Sequence, residues 1–446
     1  MTMSPSITAG VAPHAEVEEV DAAYKKITWR LIPFLAFLWL LAWIDRVNVG
    51  YVKLTMLDEL KWSESVYGLG AGIFFIGYFF FEIPSNLMLQ KIGAKKTLMR
   101  ITLGWGATCV AMAFAKTPEM FYVLRFVMGA FEAGFLPGVI VYLTYWYPSG
   151  RRAKVFSMIT AASALSSVIG GPLAGNVLNL MGGVGGLSSW QWVFLIEGTP
   201  TVLAGIFTFF YLTDHPKDAN WLTAREKQLV SSELERDNKA LGHREHSIFA
   251  ALKDSRLWLF VLIYFCIVAA NATLNFYGPT LVKDLGFTNP ATIGWIMSGA
   301  FLLGAGAQIY NGSHSDRQRE VRWHCAGAVL LGVIGMLIVA FAQGRSPALV
   351  LTGLVLAVIG TSSAFPVFWQ MPNRLLTGAA AAVGIALINS IANLAGFGSP
   401  FMLSAIKAAT GKLTSGLFVI AAVEMLAVLL ILWFVPKNVL AKSKTI

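Results

Sequence analysis

The chain has 446 residues, is 56% hydrophobic and only 13% charged, and carries a formal net charge of +10. Apolar runs of about 20 residues, each long enough to cross a bilayer as a helix, recur along its length. This excludes a soluble domain and predicts an all-α polytopic membrane protein. The basic excess does not call for nucleic acid, because it gathers in the short connections at one predicted membrane face.

Residues 1–29 form an N-terminal tail. It is polar and acidic to residue 24 and has no cleavable signal pattern, so the first span must direct its own insertion. Twelve spans follow, at 30–51, 66–90, 97–115, 119–146, 154–179, 192–213, 256–282, 291–311, 323–342, 347–373, 378–406 and 413–435. They divide into an N-terminal half, 30–213, and a C-terminal half, 256–436. The charged linker 214–255 separates the halves, and 437–446 is a second tail. Thr223-Ala224-Arg225-Glu226 has the capping-box pattern, which predicts a surface helix running to Lys239.

Basic residues mark alternate connections: Lys91, Lys95, Lys96 and Arg100 after span 2, Arg151, Arg152 and Lys154 after span 4, and Arg317, Arg319 and Arg322 after span 8. The intervening connections hold few, among them Lys53, Lys61 and Lys116. This asymmetry predicts cytoplasmic termini in a multi-pass protein of the plasma (inner) membrane. The matching basic turns after spans 2 and 8 suggest a six-plus-six internal repeat, a pattern of secondary transporters; the alternative is that short cytoplasmic loops are simply basic. Cys109, Cys266 and Cys325 fall in separate apolar runs without CxxC spacing, which gives no disulfide framework and no zinc site. No nucleotide loop, metal cluster or nucleophile–base pattern is present, so neither an enzyme nor a cofactor is expected.

Four charged residues interrupt apolar runs: Asp45 and Arg46 in span 1, Arg125 and Glu132 in span 4. A charge within a span costs about 2.5–3.5 kcal/mol on insertion scales, and so faces a bundle interior or water and marks an ion or substrate path. Arg125 and Glu132, seven residues apart, share nearly one helix face but are two turns apart, so each must meet another span or a ligand. The pattern suits proton coupling, since a desolvated carboxylate binds a proton more readily and an adjacent arginine opposes this; the alternative is a structural buried ion pair. Asp45 and Arg46 point about 100° apart, so one can face the centre while the other meets a neighbouring helix. Arg46 offers a planar fork suited to a carboxylate. Trp43 and Tyr78 are aromatic candidates for the centre, or lipid-interface residues. Asn275 with Asn271, and Asn389 with Asn393, are i, i+4 pairs that can bond a ligand or a neighbouring helix. Glu82 and Glu197 read as structural carboxylates near wetted span ends. Glu424, midway along span 12, reads as a packing or contact residue. Gly170-Gly171-Pro172 and Gly175 partly match an antiporter pattern in span 5, but also suit close helix packing.

Several segments resemble the major facilitator superfamily, and within it the anion:cation symporters. They are Ile44-Asp45-Arg46-Val47-Asn48-Val49-Gly50, Phe81-Glu82-Ile83-Pro84-Ser85-Asn86-Leu87, Glu132-Ala133-Gly134-Phe135-Leu136-Pro137-Gly138, Trp192-Val193-Phe194-Leu195-Ile196-Glu197-Gly198 and Asn389-Ser390-Ile391-Ala392-Asn393. The branch that carries tartrate, phthalate and hydroxyphenylacetate is the most similar. The resemblance implies two six-helix bundles with alternating access, importing a small organic carboxylate, tartrate-like or aromatic, by proton symport. It also implies that Arg46 and Asn389 bind the anion and that Asp45 joins Glu132 in proton handling. Trp43 departs from the tyrosine usual in the sugar-acid carriers. Ala94-Lys95-Lys96 lacks the Asp-Arg that Asp316-Arg317 retains after span 8, so Lys95, Asp316 and Arg317 are gating candidates of unequal fit. The expected partners are the organic anion, protons and the lipid bilayer, with no nucleic acid and a monomeric carrier. An antiporter or exporter of the same fold is the alternative.

Overall fold

The computed structural model describes residues 14–241, 252–376 and 380–436, and among these residues it contains helices and no strand. The N-terminal half holds α1 (His14–Val47), α2 (Val49–Leu60), α3 (Glu64–Ile92), α4 (Ala94–Met112), α5 (Pro118–Glu132), α6 (Phe135–Trp146), α7 (Ser149–Thr160), α8 (Ala162–Leu180) and α9 (Ser189–Tyr211). The linker carries α10 (Ala224–Leu241). The C-terminal half holds α11 (Ser255–Lys283), α12 (Pro290–Gln318), α13 (Arg322–Ala342), α14 (Pro347–Leu375), α15 (Ala380–Ala392), α16 (Ala395–Thr410) and α17 (Leu413–Phe434).

Twelve spans result because four of them are broken helices. Span 1 is α1 and α2, span 4 is α5 and α6, span 5 is α7 and α8, and span 11 is α15 and α16. Eleven are long and apolar enough to cross a membrane by composition alone. The twelfth, α4, is diluted by Lys95, Lys96 and Arg100 in its first turns, yet it lies against α9 and α5 inside the N-terminal half. The helix α1 begins 16 residues before the expected start of span 1, so much of the predicted tail continues the first span.

Packing separates two bundles. Spans 2, 3 and 4 pack together in the first, with spans 1, 5 and 6. Spans 8, 9 and 10 pack together in the second, with spans 7, 11 and 12. The halves meet along α8 against α12 and along α3 against α16, two seams that a pseudo-twofold relation exchanges. Glycines permit the first seam: a Cβ on Gly294 would lie 2.2 Å from the carbonyl oxygen of Gly171, and one on Gly175 would lie 2.5 Å from that of Pro290. Their role here is close helix approach.

The bundles are tied at the end remote from the termini. Lys53 on α2, 5% exposed, pairs with Glu64 Oε2 at 2.7 Å, and Glu64 also accepts a bond from Lys407 on α16. The Lys53 ammonium lies 4.4 Å from the Tyr67 ring centroid and 4.1 Å from that of Tyr277 on α11. Tyr67 donates to the carbonyl of Phe276 at 2.7 Å, and Lys283 donates to that of Leu54 at 2.9 Å. Lys53, placed in a connection by the sequence reading, is instead a buried cation in this closure.

At the terminal end the linker grips the N-terminal half. Thr223 and Glu226 form the predicted capping box. Glu226 also pairs with Lys26 at 2.9 Å, and Asp237 accepts from the Ser149 main chain at 2.9 Å and from Arg152 at 3.0 Å.

Candidate functional site

Arg46 and Glu132 sit where their spans are interrupted. Arg46 occupies the last turn of α1, just before Asn48 separates it from α2; Glu132 ends α5; and Asn389 and Asn393 flank the break between α15 and α16. Broken helices leave main-chain groups free and let side chains converge, as in the discontinuous helices that build transporter sites.

Arg46 and Glu132 form the central pair. The Arg46 Nε donates to Glu132 Oε1 at 3.0 Å, and its Nη2 donates to the same oxygen. Both residues are buried, Glu132 completely. Oε2 of Glu132 and the indole Nε1 of Trp43 are buried without partners among the described residues. Aromatic rings enclose the guanidinium, with the centroids of Trp43, Phe74 and Tyr78 at 4.7, 5.4 and 5.4 Å. The sequence candidates Arg46, Glu132, Trp43 and Tyr78 therefore converge. Phe74 was missed; its signal was the i, i+4 spacing to Tyr78 on one face of α3.

Arg125 shares Phe74 from another side, 4.9 Å from its centroid. Its guanidinium donates to the carbonyls of Gly70 and Ala71, each at 3.2 Å. In this conformation it meets main-chain oxygens of α3 and no carboxylate.

Asp45 turns away from the Arg46 side. Its Oδ2 accepts from Trp105 Nε1 at 3.0 Å on α4 and from Thr201 Oγ1 at 2.7 Å on α9, while Oδ1 accepts from Cys109 Sγ at 3.5 Å. It is wholly buried, and three neutral donors take the place of a cation. Asn48 donates to Cys109 Sγ at 3.7 Å.

Two carboxylates read as sitting at wetted span ends are buried. Glu82 is 6% and Glu197 3% exposed. Glu82 Oε2 accepts from Ser390 Oγ at 2.6 Å, across the two halves. Their positions are set by helix packing, which span length alone does not reveal. Glu424 Oε1 accepts from Thr361 at 3.1 Å, a neighbouring-helix bond as expected.

The remaining candidates lie apart from Arg46. Asn275 donates to the carbonyl of Asn271 at 2.8 Å, and its own carbonyl would lie 2.6 Å from a Cβ on Gly50, so it marks the contact of spans 7 and 1. Asn389 and Asn393 are half-buried on span 11. The main-chain N–H of Lys95 donates to Asp214 Oδ1 at 2.7 Å, which anchors that basic turn within the N-terminal half. Asp316 and Arg317 are exposed at the terminal end. No group of metal-ligating side chains occurs among the described residues.

The Major Facilitator Superfamily profile matches residues 35–400. A protein of Agrobacterium vitis named for tartrate transport is 41% identical over 409 residues, covering 92% of this chain and 90% of its own length. The metabolite transport protein NicT of Pseudomonas putida, also so named, is 40% identical, covering 94% of this chain and 96% of its own. Among solved structures, a D-xylose–proton symporter superposes with a TM-score of 0.73 at 15% identity, covering 92% of this chain and 98% of its own, a likeness of fold.

Proposed function

We propose, since the chain belongs to the Major Facilitator Superfamily, that this transporter imports a small organic carboxylate together with protons. One observation carries the reading: among the described residues, the buried Arg46 guanidinium is held by Glu132 and by no other anionic side chain. An ionised Glu132 occupies the fork that an organic carboxylate would use. Protonating Glu132 removes its charge and frees the fork, so proton and anion bind together. Without the proton the two carboxylates compete, and without the anion the freed guanidinium is left buried and uncompensated, at a cost of several kcal/mol. This reciprocal dependence is the thermodynamic content of symport.

The orphan Trp43 Nε1 supplies a second donor beside the guanidinium. A hydroxy acid offers both a carboxylate and hydroxyl acceptors to such a pair, and the relative named for tartrate transport fits this chemistry. The basic connections assign the terminal end to the cytoplasm of a plasma membrane. The closure of Lys53, Glu64 and Lys407 then lies on the outer face, so the conformation described is closed to the outside. Gly171 and Gly175 pack closely against α12, the helix-packing role that the sequence also allowed.

The test uses purified protein in liposomes with radiolabelled tartrate and an imposed pH gradient, acidic outside the face that carries Lys53. Accumulation that a protonophore abolishes and that does not need sodium is expected. Sodium-dependent uptake at constant pH, or no response to the gradient, would reject proton symport.

A further inference from the structure

Glu197 is a buried carboxyl that the scheme above does not use. Two close contacts place it. On α4 and α9, a Cβ on Gly106 would lie 2.8 Å from the Val202 nitrogen, and one on Gly198 would lie 2.9 Å from that of Val110. These contacts press α9 onto α4 and hold Glu197 beside Cys109 and Asn48, in the pocket that also contains Asp45.

The titratable groups facing Glu197 are Asp45 and Tyr51 from span 1 and Cys109 from span 3. The helix α8, which packs on α9, carries no titratable residue. The one arginine nearby in sequence, Arg46, turns to Glu132, and no ion pair reaches Glu197 among the described residues. Two buried carboxyls therefore share one pocket without a cation among the described residues.

Their surroundings are unequal. Asp45 accepts three bonds. Neither oxygen of Glu197 accepts any among the described residues, although both are buried. An ionised carboxylate needs donors and a neutral acid needs one acceptor. The Asn48 side chain lies within reach of Glu197; its Nδ2 donates to Cys109, and its Oδ1 is buried and unpartnered among the described residues. An acid O–H on Glu197 would satisfy that oxygen; an ionised Glu197 would leave three buried oxygens unsatisfied and put two like charges in one pocket.

We infer that Glu197 holds a proton in this conformation and exchanges it with water during transport, so that the Asp45–Glu197 pair is a proton store distinct from the Arg46–Glu132 pair. This rests on the proton-symport reading for its role in transport, but not for its chemistry. The step is a simple O–H exchange: the proton enters the Glu197 carboxylate from water on one face and leaves to water on the other.

The experiment is infrared difference spectroscopy of the full-length protein in liposomes, cycled between acidic and alkaline buffer, paired with measurement of protons moved per tartrate. The wild type should show a protonated-carboxyl stretch that disappears on alkaline exposure. Glu197→Gln should lose that band, and Glu132→Gln should retain it. Glu197→Asp should keep an acid band at a shifted position, which guards against a merely misfolded Gln variant. Protons moved per tartrate should fall in Glu197→Gln and recover in Glu197→Asp. A spectrum that keeps every component of the wild-type acid band in Glu197→Gln overturns the assignment. A band that is lost while the proton count stays at the wild-type value also overturns it, by making Glu197 a permanently neutral structural acid. If the wild type moves no protons with tartrate, the symport reading fails, and the pH cycling of the Glu197 band still decides whether that carboxyl exchanges its proton.

Discussion

Asp45 and Arg46 are consecutive residues that serve opposite sides of span 1: Asp45 bonds to α4 and α9, and Arg46 bonds to Glu132 at the end of α5. The helical step of about 100° per residue makes this division unavoidable. One face of the helix thus contributes a carboxyl held by neutral donors, the other a cation paired with a carboxylate. Charges that look like a single cluster in the sequence belong to two networks.

Glu132→Gln keeps size and removes both the charge and the site of protonation. The variant should lose tartrate accumulation driven by a pH gradient and retain exchange of internal for external tartrate, because Arg46 is left free for the anion. Both are read in the same liposomes. Gradient-driven accumulation at the wild-type level would show that Glu132 is not needed for coupling.

Arg46→Lys tests geometry at constant charge. Lysine cannot place two parallel donors, and its ammonium would lose much of the stacking against Trp43, Phe74 and Tyr78. Apparent affinity for tartrate should weaken by about tenfold or more, equivalent to about 1.4 kcal/mol. An unchanged affinity would reject bidentate recognition by this residue.

Much of this was legible in the sequence. Span number, the charged interruptions and the capping box at Thr223 follow from hydropathy, helical spacing and resemblance; the pairing of Arg46 with Glu132 beside Trp43 and Tyr78 is seen only in the fold. Three further features were not legible. Lys53 looks like a loop residue because it follows the charged break in span 1, and only the continuation through α2 buries it. Glu197 looks terminal until Gly198 and Gly106 press its helix onto α4. Arg125 was expected to meet another span or a ligand, and its donors meet main-chain oxygens of α3, which no side-chain pattern encodes.

The closure around Glu64 should be a conformational restraint. Glu64→Gln removes the shared anion between Lys53 and Lys407 and leaves the buried Lys53 ammonium without its paired carboxylate. The equilibrium should move away from the state closed at that end. A cysteine introduced at Lys61, next to the closure, should react faster with a membrane-impermeant maleimide in the Glu64→Gln background. Equal labelling rates in the two backgrounds would mean that the ion pairs do not hold the closure.

The grip of α10 on the N-terminal half should weaken in acid. Bonds from Ser149, and the charge of Arg152, hold the Asp237 carboxyl below its ordinary value of 3.8. A depressed carboxylate contributes stability above its unfolded value, and loses it as pH falls through the folded value. Detachment is therefore expected only below pH 3.8, and Asp237→Asn should loosen α10 at neutral pH as well. Hydrogen exchange of residues 224–236 reads both. Unchanged protection in Asp237→Asn would show that the other contacts of the linker suffice.

Binding should require an ionised carboxylate on the substrate and should strengthen as pH falls through the range in which Glu132 takes up its proton. With Glu132 neutral, Arg46 lacks a counter-ion, and a bound anion restores it. Proton and anion must then increase each other's affinity by the same factor. A methyl ester of the same acid retains its shape but not its charge. It leaves guanidinium donors poorly paired, at a cost of about 1–3 kcal/mol or more, and gains nothing from protonation of Glu132. Calorimetric titration with tartrate and its dimethyl ester at two pH values checks both points. Tartrate should bind more tightly at the lower pH and the ester weakly at each. Equal affinities for acid and ester would mean that Arg46 and Glu132 form a purely structural pair, and that the anion enters elsewhere.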